Sequence, residues 1–225
     1  MDIVDTARKE GRETLSEYES KIVLASYDIP VTREIIIQKD NDIISAAHEI
    51  GYPVVMKGCS PEITHKTEKD LIRTDIRDDK EALDTFNDIM AGMNGGHGAI
   101  LIQEMIKGKR ELVIGLIRDP QFGPCVMFGL GGIFTEILKD VSFRLAPLEK
   151  RDALEMMDEI KAHKMLDAVR GMEPVDRELL SKMLINVGKI GVENDAIKEI
   201  DINPVIISGS RPVAVDALVV LQPNE

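Results

Sequence analysis

The chain reads Glu199-Ile200-Asp201-Ile202-Asn203-Pro204 near its C-terminus. Polar and apolar side chains alternate in this stretch, which is the pattern of a β-strand with one buried face. The two isoleucines are expected to pack into a core, and the three polar side chains to project together from the opposite face. Pro204 is expected to end the strand, because proline cannot donate to a β-ladder. The polar face predicts either a solvated edge strand or a site for a hard cation such as Mg²⁺.

A second strand is predicted over residues 213–218, joined to the first by a turn at residues 208–212. This hairpin would bring Asp216 beside Asn203. Acidic residues on two neighbouring strands can together bind Mg²⁺ that lies between phosphate groups. The alternative is that Asp216 pairs with a lysine at the surface.

The composition argues against several classes of protein. With 225 residues, the chain can form one large domain or two small lobes that share a cleft. The net charge of −12 argues against a nucleic acid or an anionic membrane as partner. No apolar run is long enough for a membrane span, and residues 1–5 do not look like a signal peptide. Because only Cys59 and Cys125 occur, disulfides are not expected, which fits a cytoplasmic protein.

The order of the predicted elements indicates an α+β protein. Helices and strands alternate up to residue 104, whereas strands follow one another in meander order after Gly108. Two helices, at 149–168 and 176–191, precede the C-terminal hairpin. We interpret this order as two α+β lobes with a hinge near residues 104–108 and a ligand cleft between them. The predicted divisions are an N-terminal arm (1–14) and two subdomains (15–103 and 104–225).

Two features could bind phosphate through an ammonium or through backbone N–H groups. Lys57 ends an apolar strand predicted at 53–57, so its ammonium could face an anion at the edge of a cleft. The alternative is a surface lysine whose aliphatic stem covers apolar atoms. Gly129, Gly131 and Gly132 could let the backbone approach a ligand and present N–H groups to phosphate, although a plain hairpin turn would also explain them.

Arg144 and His65 are further candidates for phosphate chemistry. Arg144 interrupts the otherwise apolar run 141–147, and such an arginine often makes a bidentate contact with phosphate or carboxylate. His65 lies in segment 58–67, which has no clear period and is predicted to be a loop. A neutral imidazole beside a phosphate site can act as a nucleophile near neutral pH. An ordinary loop position is the alternative.

Taken together, these segments resemble the ATP-grasp β subunits of ADP-forming acyl-CoA synthetases, which are relatives of succinyl-CoA synthetase. The resemblance covers nearly the whole chain, from Leu15 to Leu221. The matching blocks are residues 55–57 with 60–66, 103–105 with 110–112, 119–124, 128–134, 143–148 and 201–204.

The resemblance implies an ATP-grasp fold, with two α+β lobes and the nucleotide between them. It also implies a reversible reaction in which acyl-CoA, such as acetyl-CoA, reacts with ADP and phosphate to give the free acid, CoA and ATP. A separate CoA-binding α subunit would form the acyl phosphate, in an α2β2 heterotetramer. The implied cofactor is Mg²⁺, and ATP or ADP is the nucleotide substrate.

At matching positions, the resemblance implies a role for each candidate residue. Lys57 would contact the nucleotide phosphates, and His65 would be transiently phosphorylated and carry the phosphoryl group to ADP. The other implied roles are adenine recognition by Gln103, Glu104, Met105 and Ile106, ribose binding by Glu111, contact with the transferred phosphate by Gly131, Gly132 and Arg144, and Mg²⁺ binding by Asp201, Asn203 and Asp216.

The chain departs from the family just after the histidine. The family usually reads Lys-Ser-Asp-Val-Gly-Gly-Val there, whereas this chain has Asp70 and Leu71 in place of the two glycines. A Cβ atom and a carboxylate near nucleotide phosphates predict a weaker or altered nucleotide site. Two alternatives therefore stand beside the synthetase subunit. One is an ATP-grasp carboxylate ligase without a phosphohistidine, and the other is a non-catalytic, nucleotide-binding regulatory subunit.

Overall fold

The computed structural model describes residues 3–60, 71–93, 98–131, 140–169 and 171–223. In chain order its elements are α1 (Ile3–Lys9), α2 (Glu17–Ala25), β1 (Glu34–Ile37), a 3₁₀ turn (Asp40–Asp42), α3 (Ile43–Ile50), β2 (Val54–Cys59), β3 (Ile72–Ile76), α4 (Asp79–Gly92), β4 (Ala99–Glu104), β5 (Glu111–Asp119), β6 (Gly123–Leu130), β7 (Val141–Leu145), α5 (Lys150–Glu159), a second 3₁₀ turn (His163–Leu166), α6 (Arg177–Glu193), β8 (Ile197–Ser208), β9 (Arg211–Ala214) and β10 (Leu218–Leu221). None of the described helices is long and apolar enough to span a membrane.

The chain divides into two compact units. The smaller one comprises Ser16–Tyr18 and Thr32–Met105, and the larger one comprises Met1–Leu15, Glu19–Val31 and Ile106–Glu225. Residues 19–31 thus group with the C-terminal half, which differs from the continuous first subdomain 15–103 expected from the sequence. The physical reason is that Val23, Leu24 and Ile29 are buried in the core of the larger unit.

The smaller unit is built on an antiparallel sheet in the order β1-β4-β2-β3. Every residue of β2 is buried. Val54 and Met56 belong to a hydrophobic core that also contains side chains from α3 and α4. Since side chains alternate along a strand, Val55 and Lys57 project from the opposite face of the sheet.

The larger unit is built on an antiparallel sheet in the order β10-β8-β5-β6-β7, with β9 also paired to β8. Ile114 of β5 pairs with Phe128 and Ile202, and Leu116 pairs with Val126 and Ile200. These side chains are buried together with residues of α5 and α6, so the two helices cover this face of the sheet. The other face carries the polar side chains of β8.

Strand β8 does not end at Pro204, as the sequence predicted, but continues to Ser208. Its register against β5 shifts between Leu112, which pairs with Val205, and Ile114, which pairs with Ile202. Two residues of β8 therefore lie opposite one residue of β5, which is a β-bulge. A bulge accommodates Pro204 because the ladder bond that proline cannot donate is not needed there.

The predicted strand over residues 213–218 is two separate strands. β9 pairs with the C-terminal part of β8, and β10 pairs with its N-terminal part. Asp216 lies in the link between them. Gly129, for which the sequence suggested a phosphate-binding loop or a hairpin turn, lies within β6 and pairs with Val141 and Val113.

Candidate functional site

The structure brings together the acidic residues of β8 and of the link between β9 and β10. Ile200 and Ile202 are buried, and Asp201 projects from the other face, where it pairs in register with Leu218 and Gly115. The N–H of Val215 donates to the carbonyl of Pro204 at 3.0 Å, which holds Asp216 next to the bulge at Asn203.

The electrostatics of this group distinguish Asp201 from its neighbours. Burial raises the pKa of the Asp201 carboxyl to about 6, and the negative charges of Glu199 and Asp216 add to the rise. No ion pair to Asp201 is found among the residues that the structure describes. Asp201 is therefore a largely buried carboxyl whose ionised form is disfavoured, with two further carboxylates close to it.

Such a group fits a hard divalent cation. The cation would compensate the negative charge that burial and repulsion between the carboxylates disfavour. The predicted donors are two carboxylates and the amide of Asn203. Within the described ranges, no group of three or more His, Cys, Asp or Glu side chains is arranged to hold a metal alone. Mg²⁺ usually takes only one or two protein carboxylates and completes its shell with water and substrate phosphates. The donor set thus fits a cation shared with a phosphorylated ligand, and the Mg²⁺ site stays a prediction.

Lys57 is neither at the end of a strand nor at the surface. β2 continues to Cys59, and Lys57 is only 4% exposed. Its ammonium donates a hydrogen bond to Oε1 of Glu17 at 2.7 Å, and Glu17 is itself buried. The surface alternative for Lys57 is wrong, and its contact with nucleotide phosphates stays a prediction.

Glu17 was not identified from the sequence. Leu15, Tyr18, Ile22 and Ala25 recur at helical spacing in the sequence. Leu15 is buried, yet Ile22 is 40% exposed. The buried positions of this segment are Leu15, Ser16, Glu17, Ser20, Lys21, Val23 and Leu24. Glu17, Lys21 and Leu24 do recur at helical spacing, but two of them are charged. Hydrophobic periodicity alone therefore could not reveal this face.

The residues predicted to recognise adenine and ribose lie where β4 ends and β5 begins. Gln103 is buried in β4. The carboxylate of Glu104 accepts hydrogen bonds from the backbone N–H of Arg33 at 2.8 Å and from its Nε at 3.3 Å. Met105 and Ile106 follow in the connecting segment, and Glu111 is exposed at the start of β5. Their nucleotide roles stay predictions.

The need for glycine at position 131 is explained by packing. A Cβ atom there would lie 2.9 Å from the carbonyl oxygen of Leu112. The N–H of Gly131 donates to the carbonyl of Glu111 at 2.8 Å, so it is already engaged in this structure. Its contact with the transferred phosphate stays a prediction. Gly132 and His65 lie outside the described residues.

Arg144 is paired with carboxylates of α5. Its Nη1 donates to Oε2 of Glu159 at 2.9 Å, a second and closer contact joins the same two side chains, and Glu155 lies 3.8 Å away. The hydrogen bond that Arg144 donates to Glu159 raises the pKa of Arg144, and the same bond lowers the pKa of Glu159. The run around Arg144 is not a buried one, because Phe143 and Leu145 are about half exposed on the other face of edge strand β7. Phosphate contact by Arg144 stays a prediction.

The replacement of the second family glycine by Leu71 is explained by packing in the core of the smaller unit. Leu71 is 1% exposed and belongs to the same core as Met56. Its carbonyl accepts a hydrogen bond from the N–H of Gly58 at 2.9 Å. The side chain that replaces the second glycine therefore packs inward, while Asp70 lies outside the described residues.

One cavity in the described part of the larger unit has a volume of about 470 Å³. It is lined by residues of α1 and α6, by Val23 of α2 and by the segment that follows α2, with Tyr27, Asn186 and Lys189 among the lining residues. None of the residues predicted for the site lines it.

The chain matches the ATP-grasp domain family over residues 6–221. It is 44% identical to the β subunit of acetate–CoA ligase [ADP-forming] I of Pyrococcus furiosus, over 98% of this chain and 97% of that protein. It is also 38% identical to the 4-hydroxybutyrate–CoA ligase [ADP-forming] of Nitrosopumilus maritimus, over 91% of this chain but only 30% of that enzyme.

Solved structures agree with these sequence matches. The chain superposes with a TM-score of 0.94 on acetyl-coenzyme A synthetase 1 of Ca. Korarchaeum cryptofilum in complex with coenzyme A, Ca-AMPCP and HgCl+, at 43% identity over 98% of this chain and 99% of that chain. Another structure of that protein, with coenzyme A and Mg-AMPPCP, has its phosphohistidine segment pointing towards the nucleotide binding site (TM-score 0.87). The chain therefore belongs to the ATP-grasp family, together with the β subunits of ADP-forming acetate–CoA ligases.

Proposed function

We propose that this chain is the nucleotide-binding β subunit of an ADP-forming acyl-CoA synthetase that acts on acetate or a related acid. It would transfer a phosphoryl group reversibly between a phosphohistidine and ADP. The observation that carries the proposal is the end-to-end similarity to the P. furiosus β subunit, at an identity well above the level at which only the fold is shared.

The predicted site residues would supply the charges that phosphoryl transfer needs. Catalysis of this reaction depends on positioning and on neutralising the charge of the equatorial phosphate oxygens. Lys57 would bind the nucleotide phosphates, and Arg144 would approach the transferred group. Asp201, Asn203 and Asp216 would hold Mg²⁺, which supplies charge neutralisation when bound.

His65 would carry the phosphoryl group between subunits. The α subunit would form an acyl phosphate and transfer its phosphoryl group to a histidine of its own, and the carboxylate of the free acid leaves. One imidazole nitrogen of His65 then attacks that phosphorus, and the neutral imidazole of the α subunit leaves. The β-phosphate oxygen of ADP then attacks the same phosphorus, and the neutral imidazole leaves. The CoA-binding α subunit would be a separate polypeptide in an α2β2 assembly.

The proposal is tested by incubating the purified chain with Mg²⁺ and γ-³²P-labelled ATP. We expect acid-labile, alkali-stable label on the wild type, removal of the label by ADP, and no label on a His65→Ala variant. His48→Ala is the matched control and should label normally. His48 is exposed on α3, where its Nε2 lies 2.8 Å from Oδ1 of Asp79.

If the wild type does not label, the experiment is repeated with the α subunit present. A chain that binds ATP but remains unlabelled there would refute the phosphohistidine mechanism. Amine-dependent ADP release from such a chain would support the ATP-grasp ligase alternative. Binding without any turnover would support the regulatory alternative.

A further inference from the structure

The end of strand β4 is paired irregularly with the residue that precedes β1. Glu34, the first residue of β1, pairs with Gln103, so Arg33 lies opposite Glu104. Two residues that face each other as a hydrogen-bonded pair in an antiparallel sheet normally exchange two N–H···O=C bonds. Arg33 and Glu104 are both described by the structure, and they exchange only one such bond. The N–H of Glu104 donates to the carbonyl of Arg33 at 3.0 Å.

The carboxylate of Glu104 replaces its own carbonyl as the acceptor of the second bond. The N–H of Arg33 donates to Oε1 of Glu104 at 2.8 Å, and Nε of Arg33 donates to Oε2 at 3.3 Å. Nη2 of Arg33 also donates to the carbonyl of Ile50, at the end of α3, at 3.0 Å. The carboxylate is therefore held at both oxygens. The carbonyl of Glu104 does not receive the ladder bond that Arg33 would otherwise donate to it.

The side chains of Glu104 and Lys57 lie on opposite faces of the smaller sheet. In the register of β2 and β4, Val54 pairs with Glu104, and Lys57 pairs with Leu101. Val54 belongs to the core that also contains side chains of α3 and α4, and directly paired residues project from the same face. A nucleotide whose phosphates are bound by Lys57 would therefore lie across the sheet from the Glu104 carboxylate. The main-chain groups at the end of β4 lie between the two faces.

We propose that Glu104 is a positioning residue that selects ADP over GDP through its main-chain carbonyl and not through its carboxylate. This inference rests on the proposed function, because it needs the base to lie at residues 103–106 and the phosphates to lie at Lys57. The carboxylate accepts the N–H of Arg33. The carbonyl of Glu104 is thereby kept as an acceptor for the base.

A carbonyl at this position distinguishes the two purines by their hydrogen-bonding groups. Adenine carries an amino group on its six-membered ring, which donates, whereas guanine carries an oxygen at the same position, which accepts. A site that offers an acceptor there binds the amino group and rejects the oxygen. Without the Glu104 carboxylate, the N–H of Arg33 would bind the carbonyl and compete with the base. A purely structural role for Glu104 would not change the preference between the two nucleotides.

The test measures the affinities of the full chain for Mg-ADP and for Mg-GDP by isothermal titration calorimetry. The variants are Glu104→Ala, which removes the acceptor of the Arg33 N–H, and Glu104→Gln, which retains one. Glu81→Ala is the matched control, because Glu81 of α4 accepts the backbone N–H of another arginine, Arg77, at 2.7 Å in the same unit. Circular dichroism verifies that each variant is folded.

We expect the wild type to bind Mg-ADP at least about tenfold more tightly than Mg-GDP. Glu104→Ala should reduce this ratio at least about threefold by weakening Mg-ADP, because the hydrogen bond to the base meets a competitor. Glu104→Gln should weaken both nucleotides by the same factor, at most about threefold, since a neutral amide oxygen still accepts the Arg33 N–H. It should fold even if Glu104→Ala does not, so its ratio tests the inference by itself. Glu81→Ala should follow the wild type in both affinities.

Three results would overturn the inference while leaving the proposed function intact. The first is a wild type that binds Mg-GDP as tightly as Mg-ADP, and the second is a folded Glu104→Ala variant with the wild-type ratio. The third is a shift of the Glu104→Gln ratio towards Mg-GDP. It would mean that the side chain contacts the base directly, because an amide can present its NH₂ group to the guanine oxygen. A wild-type chain that binds neither nucleotide would overturn both the inference and the proposed function.

Discussion

At the scale of single residues, Asp201 makes the stability of the metal-free protein depend on pH. Its pKa is about 6 in the folded chain, above the ordinary value of 3.8. The folded state therefore holds a proton that the unfolded state has lost between these pH values. Since the ionised form is disfavoured by folding, the chain loses stability as the pH rises from 4 to 6, and the full penalty is present above pH 6.

We expect Asp201→Asn to stabilise the Mg²⁺-free chain near pH 8 by about 1 to 2 kcal/mol, a figure reduced from the full shift to allow for partial solvent screening. At pH 4 the effect should be small, because the wild-type carboxyl is then protonated. Urea unfolding in EDTA at both pH values measures the difference. Asp84→Asn, at an exposed position of α4, is the control and should show no such pH dependence. Equal effects of Asp201→Asn at both pH values would contradict the prediction.

Single residues also show which features of the candidate site could be predicted from the sequence. The acidic face of β8 was predictable because strand alternation is local, and the structure places Glu199, Asp201 and Asp216 together. The Glu17–Lys57 pair was not predictable from patterns, because its partners are far apart in sequence and both are polar residues in a buried position. Local periodicity reveals which residues share a face but not which distant charge compensates another.

At the scale of elements, helix α6 depends on glycines where it crosses the sheet. A Cβ atom at Gly191 would overlap the side chain of Leu116 and lie 2.9 Å from Cβ of Pro124. At Gly188 the nearest atoms would be 3.1 Å and 3.3 Å away, on Leu148 and Ala146. Alanine substitutions at the two positions therefore distinguish the effect of helix propensity on stability from the effect of close packing, within one helix.

We expect Gly191→Ala to destabilise the chain by about 1 to 3 kcal/mol through overpacking, even though alanine improves helix propensity by about 1 kcal/mol. Gly188→Ala is the matched control and should change stability by less than about 1 kcal/mol, because its neighbours need to move only slightly. Chemical denaturation of both variants measures the difference. If Gly191→Ala is the more stable of the two, α6 does not approach the sheet as closely as described.

Errors in the predicted elements have a common physical cause. Pro204 was expected to end β8, but the bulge opposite Val113 removes the need for its missing N–H, so the strand continues. The run 141–147 that Arg144 interrupts is apolar in sequence, but β7 is an edge strand and leaves Phe143 and Leu145 exposed. In each case the local sequence pattern did not reveal where the strand lies in the sheet, and that position decides which residues are buried and where the strand ends.

At the scale of the whole molecule, the proposed reaction requires a second polypeptide. The chain corresponds to nearly all of a P. furiosus β subunit but to only 30% of the N. maritimus ligase. The rest of that larger enzyme is long enough to contain a CoA-binding part, which we propose to be a separate α subunit for this chain. CoA binding is accordingly expected to depend on the partner.

We therefore expect the purified chain to bind Mg-ADP but not CoA, and to acquire CoA-dependent ATP synthesis when the α subunit is added. Light scattering of the mixture should give a mass equal to two 25.0 kDa chains plus two α subunits. The α subunit alone is the control and should bind CoA without forming ATP. If this chain alone binds CoA as tightly as the mixture does, then the CoA site does not belong to the partner. In that case the proposed assignment of nucleotide binding to this chain and of CoA binding to the α subunit is wrong, even if His65 is phosphorylated.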